Sequence, residues 1–401
     1  MTAKLTEFEV ARSLVLEHAR PPAPETVALR DALGRVLAEE VRAAEDVPAF
    51  DNSAMDGFAV RAGDSGPGVR LRVVDRSRAG APASAPVGAG EACAISTGAA
   101  IPLGADAVVA VEDTRRDGGE VEVAVAVPPG RYVRRAGEDV RAGQTVLEPG
   151  VRLGPAELGV LASAGRAALL VGRSPRVAVV TTGDELVAPD AALVAGAVRD
   201  TSAFVMPALV AQAGGETVAL AHAVDDRELL RDALAAALEA DVAVITGGMS
   251  VGEHDHVDDV LRGLGVTRRL AGLALRPGKP FWFGTRGTTL VFGLPGNPVS
   301  SLVTFVLLVR PALLALAGEA PERSRTTATL DGDCERAPGR LHAVRCALAL
   351  RADGWHAMPT GDQGSHVLTS MLDADALALI PAGAGVLAAG ERVTIELLTT
   401  G

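Results

Sequence analysis

The sequence predicts a multidomain α/β plus β protein organised around a central, doubly wound parallel α/β domain. From Arg176 to Gly318, apolar runs of strand length alternate with helical patterns, which indicates repeated strand–helix–strand units. The regions from Val60 to Asp139 and after Gly318 instead carry short alternating strands between Gly and Pro turns. A chain of 401 residues with 48% hydrophobic residues can bury the cores of about two to four such units.

The N-terminal segment begins with an amphipathic helical pattern over residues 5–19. Thr6 to Glu9 matches a capping box at the start of this helix. A second short helical pattern covers Leu29 to Leu37. The run PAFDNSAMDGFAV (residues 48–60) follows, and its centre is too polar for a strand. Its Asp, Asn and Ser residues organise turns, and taken alone an ordinary loop and a functional loop explain it equally well.

The module from Val60 to Asp139 is predicted to be β-rich, with strands in VRLRVVD, EACAIST, DAVVAVED and VEVAVAV. Thr97 ends the second of these runs, where Ser96, Thr97 and Gly98 form a hydroxyl-bearing turn. RYVRRAGEDV (residues 131–140) then places four charged side chains around one glycine. This turn is either a solvated surface turn or a hinge that re-enters the first domain.

The central domain is read from three strand runs, RVAVVTT, ETVALAHAV and DVAVIT, and from the helical patterns between them. Four loops rich in Gly and polar residues accompany this alternation: TTGDE, TGGMSVGEHD, RPGKP and GLPGNP. Ligands of open α/β sheets bind at the carboxyl ends of the strands. Because packing alone does not explain four such loops at one sheet edge, we expect the ligand site there.

Residues 273–301 carry the strongest site prediction. GLPGNP joins a strand to an apolar helical pattern that continues to Val309, with a kink expected at Pro311. A strand, a glycine turn and a helix N-terminus in this order favour an oxyanion site. The chain has only two lysines, Lys4 and Lys279, so a lysine in the RPGKP turn indicates a donor to phosphate or another oxyanion. The spacing and Pro280 exclude a P-loop.

Residues 254–259 superficially resemble a metal cluster. Most of these side chains fall in the first turn of a predicted helix, where acidic residues are expected from the helix dipole, and a closed zinc site is therefore not expected. A single carboxylate, Asp255, holding a hydrated magnesium ion fits better. No GxSxG elbow and no GxGxxG turn after a strand are present.

After Gly318 the strands ATLDG, RLHAVRCALAL, GWHAM, ALALIPAG and ERVTIELL predict a small β-barrel or sandwich. Arg345 and Ser365 in this region could bind an anion, although each alone reads as an ordinary surface residue.

Composition excludes several classes of function. A net charge of -12 opposes nonspecific nucleic-acid binding. Three widely spaced cysteines give neither a disulfide framework nor a thiolate metal site and suit a reducing compartment. The sequence shows no signal peptide and no uncharged apolar run of membrane-spanning length. We therefore expect a cytoplasmic protein without nucleic-acid or membrane partners.

Eight motifs, in one order and with proportionate spacing, closely resemble the molybdopterin molybdenumtransferase family, which includes the C-terminal domain of gephyrin. They are PAFDNSAMDGFAV, AISTGA, RRAGEDV, TTGDEL, TGGMSVGEHD, RPGKP, GLPGNPVS and DQGSH. Each motif is weak alone, but together they cover nearly the whole chain.

The resemblance implies a Mg2+-dependent transferase of molybdenum cofactor biosynthesis. Its substrates would be molybdate and adenylylated molybdopterin; molybdenum enters the dithiolene of the pterin and AMP is released. A pyrophosphate substrate needs glycine turns, helix N-termini and a metal-carboxylate clamp, and molybdate needs Arg, Lys and hydroxyl donors. The observed loops match these needs.

By resemblance, catalytic roles fall on Asp56, Glu185, Asp226, Asp255 and Lys279, with Asp255 the metal ligand. Substrate-binding roles fall on Thr97, Asp139, Gly247, Gly248, Ser250, Arg276, Gly296, Asn297, Ser300, Arg345 and Ser365. The family's usual KPGKP reads RPGKP here, so the role of Arg276 is the less certain one, since arginine offers a planar fork where lysine offers a point charge.

The expected domains are an elongated N-terminal dimerisation domain (residues 1–54 and 139–172), an inserted β-rich domain (55–138), the α/β molybdopterin-binding domain (173–318) and a C-terminal β-barrel (319–401). The resemblance implies a homodimer in which Asp56, Thr97 and Asp139 reach the cleft of the partner subunit. It also suggests the molybdopterin adenylyltransferase and apo-molybdoenzymes as partners.

Two alternatives remain open at this point. The gephyrin domain of this fold also clusters receptors, so a molybdopterin-binding scaffold or carrier without insertase activity is one of them. The related adenylyltransferase is the other, but its fold resembles residues 173–318 alone, and the flanking β modules favour the insertase.

Overall fold

The computed structural model describes residues 5–248, 256–322 and 324–399 of the chain. Its helices are α1 (Phe8–His18), α2 (Pro155–Ser163), α3 (Ser202–Gln212), α4 (Arg227–Ala237), α5 (Val257–Gly263), α6 (Pro298–Thr304) and α7 (Arg310–Leu316). A π-helical segment, Phe305–Val309, joins α6 to α7. Short 3-10 turns cover Leu29–Asp31, Ala62–Asp64, Val111–Asp113 and Leu368–Met371.

Strands of the first half are β1 (Glu25–Ala28), β2 (Val41–Arg42), β3 (Asn52–Ser53), β4 (Gly57–Val60), β5 (Val69–Ser77), β6 (Glu91–Ile95), β7 (Ala107–Ala110), β8 (Thr114–Asp117), β9 (Glu120–Val123), β10 (Val133–Arg134), β11 (Thr145–Leu147) and β12 (Ala168–Val171). Those of the second half are β13 (Arg176–Thr182), β14 (Leu186–Val187), β15 (Val198–Arg199), β16 (Glu216–Ala223), β17 (Val242–Thr246), β18 (Thr267–Ala271), β19 (Leu275–Arg276), β20 (Trp282–Arg286), β21 (Thr289–Leu294), β22 (Arg325–Leu330), β23 (Cys334–Glu335), β24 (Leu341–Arg351), β25 (Gly354–Pro359), β26 (Ala376–Ile380), β27 (Val386–Leu387) and β28 (Arg392–Leu397).

The central domain is a six-stranded sheet in the order β16-β13-β17-β21-β20-β18. Its strands run parallel except β20, which is antiparallel to both neighbours. Alternate residues of β13 enter two cores: Val177 and Val179 pack with α3 and α6, whereas Ala178 and Val180 pack with α4 and α5. The predicted doubly wound α/β domain is therefore confirmed, with one strand reversed in a mixed sheet.

The helical stretch Pro298–Leu316 forms the centre of the larger core. Among the described residues it is the one helix long and apolar enough to span a membrane, with a mean hydropathy of 2.1, but 89% of it is buried inside the protein. It is therefore a core helix. Where the sequence predicts a kink at Pro311, the structure has the π-helical segment directly before it. Pro311 lacks an N–H and its ring crowds the carbonyl four residues earlier, and a wider turn accommodates both.

Two segments on either side of the β-rich module pair with each other through short antiparallel ladders, β1 with β12 and β2 with β11. The module between them is a second six-stranded sheet, in the order β7-β4-β6-β5-β9-β8. The four strands predicted there are present in part of each run, whereas β4 and β8 were missed. The exact domain boundaries stay predictions.

The C-terminal region closes into a barrel. β24, β25, β22, β28 and β26 pair in that order, and β26 pairs back with β24. Of the two architectures that the sequence left open, the structure therefore has the barrel. β19 adds to it in parallel with β24, so the residues just before the RPGKP loop are held against the barrel.

Two local predictions in the N-terminal segment are wrong. The N-cap of α1 is Glu7, and no side-chain hydrogen bond caps the helix, so the capping box from Thr6 to Glu9 does not form. Thr6 instead bonds through its backbone to Gly272 and Ala274. In the Leu29–Leu37 pattern only the first three residues are helical, because Leu37 and its neighbour pair with strands from residues 151–171.

A buried ion network joins the barrel to the central domain. Glu396 on β28 is fully buried; its carboxylate accepts hydrogen bonds from Arg310 Nη2 at 2.7 Å, from Arg325 Nε at 2.8 Å and from Ser324 Oγ. Arg310 on α7 is 4% exposed, and burial lowers the pKa of its guanidinium. Arg325 also pairs with Glu9 of α1, so one carboxylate holds three parts of the fold together.

A second cluster lies on the β24–β25 hairpin. The ring of His356 contacts Asp331 Oδ1 through Nδ1 at 2.8 Å and Asp353 Oδ1 through Nε2 at 3.0 Å. Arg351 pairs with Asp331 in the same cluster. Hydrogen bonding to Asp331 and then to Asp353 raises the pKa of His356 above 6.5, and the same bonds lower the pKa of both aspartates.

We expect the stability of the barrel to fall as the pH rises through the raised pKa of His356. A group whose pKa is raised by folding stabilises the folded state fully below its unfolded value and loses this contribution above its folded value. The two aspartates, whose pKa values are lowered, stabilise the folded state at neutral pH and lose this contribution only in acid. Urea unfolding of the parent and of His356→Gln at pH 5.5 and pH 8.5 measures this. The parent should have a higher free energy of unfolding at pH 5.5 than at pH 8.5, and this difference between the two pH values should be smaller in the variant. An equal pH dependence in both proteins would contradict the assignment.

Candidate active site at the edge of the central sheet

Polar loops meet at one edge of the central sheet. β13, β17 and β21 end at Thr182, Thr246 and Leu294, and each is followed by a predicted loop. RPGKP differs, because it precedes the antiparallel β20 rather than ending a parallel strand. Since Trp282 at the start of β20 pairs with Gly293 near the end of β21, this loop still lies at the same edge. The structure thus brings the described parts of the four loops to one edge, as expected from the sequence.

Backbone conformation and close contacts favour glycine at two positions of the TGGMSVGEHD loop. Gly247 has φ +87°, and a side-chain carbon there would lie 2.6 Å from the carbonyl oxygen of Thr182. On Gly248, with φ +60°, the same carbon would lie 2.6 Å from the Val257 side chain. Gly296 lies beside Gly247, with 3.7 Å between its β position and the Gly247 Cα. The N–H groups of Gly248 and Gly296 form no hydrogen bond to any described residue, which leaves them open to an anion.

The carboxylates at this edge differ in whether they already accept hydrogen bonds from the protein. Asp226 Oδ1 accepts hydrogen bonds from the N–H groups of Glu228 and Leu229, so this side chain caps α4. Glu185 is exposed and lies beside Gly183. The cleft role predicted for Asp226 therefore competes with a structural one, whereas Glu185 forms no hydrogen bond or ion pair through its side chain with the described residues.

The RPGKP loop presents one free cation. Gly278 has φ +127° and packs against Thr304 of α6, where a side-chain carbon would lie 2.6 Å from the threonine methyl group. The exposed Lys279 forms no ion pair with the residues that the structure describes. Arg276, in contrast, donates from Nη1 to Glu335 Oε2 of the barrel at 3.0 Å. The sequence makes the substrate-binding role of Arg276 the less certain one, and in the structure this arginine is paired with Glu335.

The GLPGNP and DQGSH loops touch each other. Asn297 Nδ2 donates to Ser365 Oγ at 3.2 Å, and the Val299 N–H donates to the Ser365 carbonyl at 3.3 Å. Ser300 lies in the first turn of α6 and is 4% exposed. The structure therefore brings the predicted residues of the central domain and barrel together at the start of this helix.

Arg345 does not lie on the surface. It is fully buried, its Nε donates to Ser370 Oγ at 3.0 Å, and its Nη2 donates to the carbonyls of Asp362 and Gly364. Burial lowers the pKa of its guanidinium. Nη2 of Arg345 thus holds the DQGSH loop and Nε is bonded to Ser370, while its buried Nη1 has no hydrogen-bond partner among the described residues. The anion contact predicted for Arg345 stays a prediction.

The N-terminal candidates form a group of their own. Asp56 Oδ1 and Oδ2 accept from the N–H and Oγ1 of Thr97 at 3.1 and 3.2 Å. Asp51 accepts from the Ala136 N–H at 2.8 Å and from Arg135 Nη1 at 2.6 Å, and these bonds lower the pKa of its carboxyl. This links the DNSAMDG loop to the RRAGED turn that carries the exposed Asp139. No hydrogen bond or ion pair between described residues joins this group to the loops of the central sheet.

Two predicted residues, Ser250 and the proposed metal ligand Asp255, lie outside the described residues. Within the described residues no group of three or more His, Cys, Asp or Glu side chains could hold a metal ion. Asp258, from the superficial cluster, accepts from Arg262, Arg268 and Trp282 and is fully engaged in packing α5.

Sequence reasoning missed one residue near Lys279. Arg340 lines the same cleft as Lys279, although it belongs to a turn of the barrel. With 36 arginines in the chain, its identity alone gives no signal, and only the fold places it in the same cleft as the lysine.

Three family models match consecutive parts of the chain: the MoeA N-terminal region (domain I and II) over residues 6–165, a probable molybdopterin binding domain over 178–315 and the MoeA C-terminal region (domain IV) over 327–398. Together they account for most of its length.

Full-length relatives agree with these matches. The chain is 37% identical to a molybdopterin molybdenumtransferase of Haemophilus influenzae, with 97% of this chain and 98% of that protein aligned. It is 34% identical to the corresponding Bacillus subtilis protein, over 93% and 90% of the two chains. Among solved structures, a molybdopterin biosynthesis moea protein from Pyrococcus horikosii superposes with a TM-score of 0.81 at 34% identity, covering 99% of this chain and 100% of that one.

Proposed function

Because the chain belongs to the molybdopterin molybdenumtransferase family, as its eight motifs predict, we propose that it inserts molybdenum into adenylylated molybdopterin and releases AMP. The observation that carries this is the pair of adjacent glycine turns at Gly247 and Gly296, on the same sheet edge as Lys279, which has no ion-pair partner among the described residues. Open backbone N–H groups and an unpaired ammonium group are what a phosphate-bearing substrate and molybdate require.

The residues that would act are divided between the loops. Gly247, Gly248 and Gly296, with Asn297, Ser300 and Ser250, would hold the phosphates of the substrate; Lys279 would bind an oxyanion as a point charge. Arg345 would act through the DQGSH loop, by fixing Ser365 against Asn297. Arg276 would orient the loop of Lys279 through its ion pair with the barrel.

Magnesium fits the donor set at this edge, because an exposed carboxylate such as Glu185 offers the hard oxygen ligands that it prefers. We assign it to Asp255, with Glu185 lining the same cleft. When bound, the ion would neutralise negative charge on the pyrophosphate. A cytoplasmic location is part of the same proposal and is supported by three cysteines that are free and buried.

The proposal is tested by AMP release from adenylylated molybdopterin with magnesium, with and without molybdate, on the purified protein. We expect molybdate-dependent AMP release and transfer of cofactor activity to an apo-molybdoenzyme. Tight binding of the pterin without cleavage would indicate the carrier or scaffold instead. Consumption of ATP would indicate an adenylyltransferase.

We further propose a homodimer whose site combines Asp56, Thr97 and Asp139 of one subunit with Lys279 of the other. Support comes from the exposure of these three side chains and from the absence of described bonds between them and the sheet-edge loops of their own chain. The molybdopterin adenylyltransferase and apo-molybdoenzymes remain candidate partners that supply the substrate and accept the product.

If each active site combines residues of both subunits, two variants that are defective at different residues should complement each other in a mixed dimer. Asp56→Asn and Lys279→Ala, each inactive or weak alone, would be co-expressed with two different tags, and mixed dimers isolated by purification on both tags. One of the two sites in each mixed dimer is then intact, so we expect about half of the parent rate of AMP release. Mixed dimers as weak as the single variants would contradict a shared site, and dimers carrying Asp56→Asn in both subunits are the control.

A further inference from the structure

A cleft of about 550 Å³ opens next to Lys279. Three segments far apart in sequence form it: the N-terminal segment at Leu5 and Glu7, the loop at Ala274 and Lys279, and the barrel turn 338–340. The cleft therefore lies where the N-terminal segment, the central domain and the barrel meet.

Backbone hydrogen bonds fix these walls around Ala274. The Ala274 N–H donates to the Thr6 carbonyl at 2.8 Å, and the Ala274 carbonyl accepts from the Leu341 N–H at 2.9 Å. The turn before Leu341 is closed by the Arg340 N–H, which donates to the Ala337 carbonyl at 3.2 Å. The loop of Lys279 is closed by its carbonyl, which accepts from the Leu273 N–H at 2.9 Å. Lys279 is thus bonded to Leu273, and Leu341, the residue after Arg340, is bonded to the adjacent Ala274.

The charges of the cleft are two cations and one carboxylate. Neither Lys279 nor Arg340 forms a side-chain hydrogen bond or an ion pair with the described part of the chain, and Arg340 is half-buried. The other two cations predicted for the anion site do not line this cleft: Arg276 pairs with Glu335, and Arg345 is fully buried, with Nε and Nη2 bonded and Nη1 without a partner among the described residues. Arg340 is therefore the second uncommitted cation beside Lys279.

We propose that Arg340 completes the oxyanion site of Lys279, and that the cleft between them binds a tetrahedral oxyanion. The planar fork of arginine can bind two oxygens while the lysine contributes a point charge, a combination suited to a doubly charged tetrahedral ion. Free molybdate and the phosphate of the pterin substrate share this chemistry. The carboxylate of Glu7 weakens the site, so that a bound ion can leave it. The inference rests on the proposed function and extends it to two residues outside the eight motifs.

Binding of radiolabelled molybdate to the full-length protein, measured by equilibrium dialysis without pterin, tests one source of the anion. Arg340→Ala should weaken binding about tenfold, because a charged hydrogen-bond donor is lost. Arg340→Lys should fall between this variant and the parent, since charge returns without the fork. Glu7→Gln should tighten binding about threefold, because a like charge is removed. Arg115→Ala, an exposed arginine of β8, is the matched control and should leave binding unchanged.

The second source is tested by the concentration of adenylylated molybdopterin that half-saturates AMP release. If only this concentration shifts in the Arg340 variants, the bound group is the pterin phosphate, and the site is still supported. If Arg340→Ala and Glu7→Gln leave both measurements at parent values, the inference is wrong. Glu7→Gln keeps the test decisive even if the Arg340 variants fold poorly.

Failure of the inference and failure of the proposed function give different results. A parent protein that releases AMP with molybdate, together with variants that match it, rejects the role of Arg340 and leaves the function standing. A parent that releases no AMP rejects the function. If Arg340 were only structural, the Arg340 variants would have a lower melting temperature, but Glu7→Gln would not bind the anion more tightly than the parent.

Discussion

Replacing Glu396 by Gln is expected to lower the free energy of unfolding by about 3–5 kcal/mol, because removal of one partner leaves a buried charge uncompensated. Arg310 is 4% exposed, and the carboxylate it would lose is its ion-pair partner at 2.7 Å. Its remaining bond, from Nη1 to the Leu398 carbonyl at 3.1 Å, satisfies one donor but neutralises no charge. Arg325 is affected less, since Glu9 still pairs with it.

Denaturant unfolding followed by circular dichroism measures this change. Glu391→Gln, an exposed glutamate just before the same strand, is the matched control and should stay within about 0.5 kcal/mol of the parent. Arg310→Met combined with Glu396→Gln should recover part of the loss, because the uncompensated charge is then gone as well. If Glu396→Gln were as stable as Glu391→Gln, the network would carry no stability.

The largest effect on activity is expected from Asp255→Asn. We expect AMP release to fall about a hundredfold or more, since the variant loses the carboxylate assigned to magnesium and with it a group that stabilises charge in the transition state. The pterin should still bind, because the glycine turns and Lys279 are unchanged. Chromatography of the protein-bound pterin should therefore recover intact adenylylated molybdopterin from the variant.

Asp259→Asn is the control for this experiment. It removes a carboxylate four residues away that is exposed and pairs with Arg262 at 3.6 Å. This variant should release AMP at about the parent rate. If Asp255→Asn did the same, the metal ligand would have to be sought among the other carboxylates, with Glu185 first.

The central domain was the part most fully predicted from sequence. Buried parallel strands read as continuous apolar runs, and RVAVVTT matches β13 residue for residue. The reversed direction of β20 could not be read from the pattern, because strand direction depends on pairing and not on composition. Its consequence is that RPGKP reaches the ligand edge by entering a strand rather than by leaving one.

The wrong local predictions have a common cause in long-range pairing. Gly34, with φ +75°, donates its N–H to Leu153, and Leu37 pairs with Val171, so tertiary contacts override the helical pattern of this segment. Thr6 forms backbone hydrogen bonds to Gly272 and Ala274 and therefore does not take part in a capping box. Both sets of partner residues, 151–171 and 272–274, are too distant in sequence to be detected from local sequence patterns.

At the site, sequence identified residue types better than their roles. An aspartate between a strand and a helix suits both a cap and a ligand, and Asp226 is observed as a cap. Arginine in a polar motif suits both an anion contact and a structural contact, and the buried Arg345 bonds to the DQGSH loop while its Nη1 has no partner among the described residues. Burial decides between such roles, and burial depends on the complete fold.

The position of α1 has a consequence for how the chain acquires its structure during synthesis. Phe8, Ala11 and Val15 pack in the same core as the helical stretch Pro298–Leu316, about three hundred residues later, and Arg12 bonds to Glu322. The apolar face of α1 therefore has no native partner while most of the polypeptide is still being translated. Contacts of such sequence separation form slowly and leave hydrophobic surface open to aggregation. Completion of the central domain thus waits for the ribosome to pass the residues that α1 packs against.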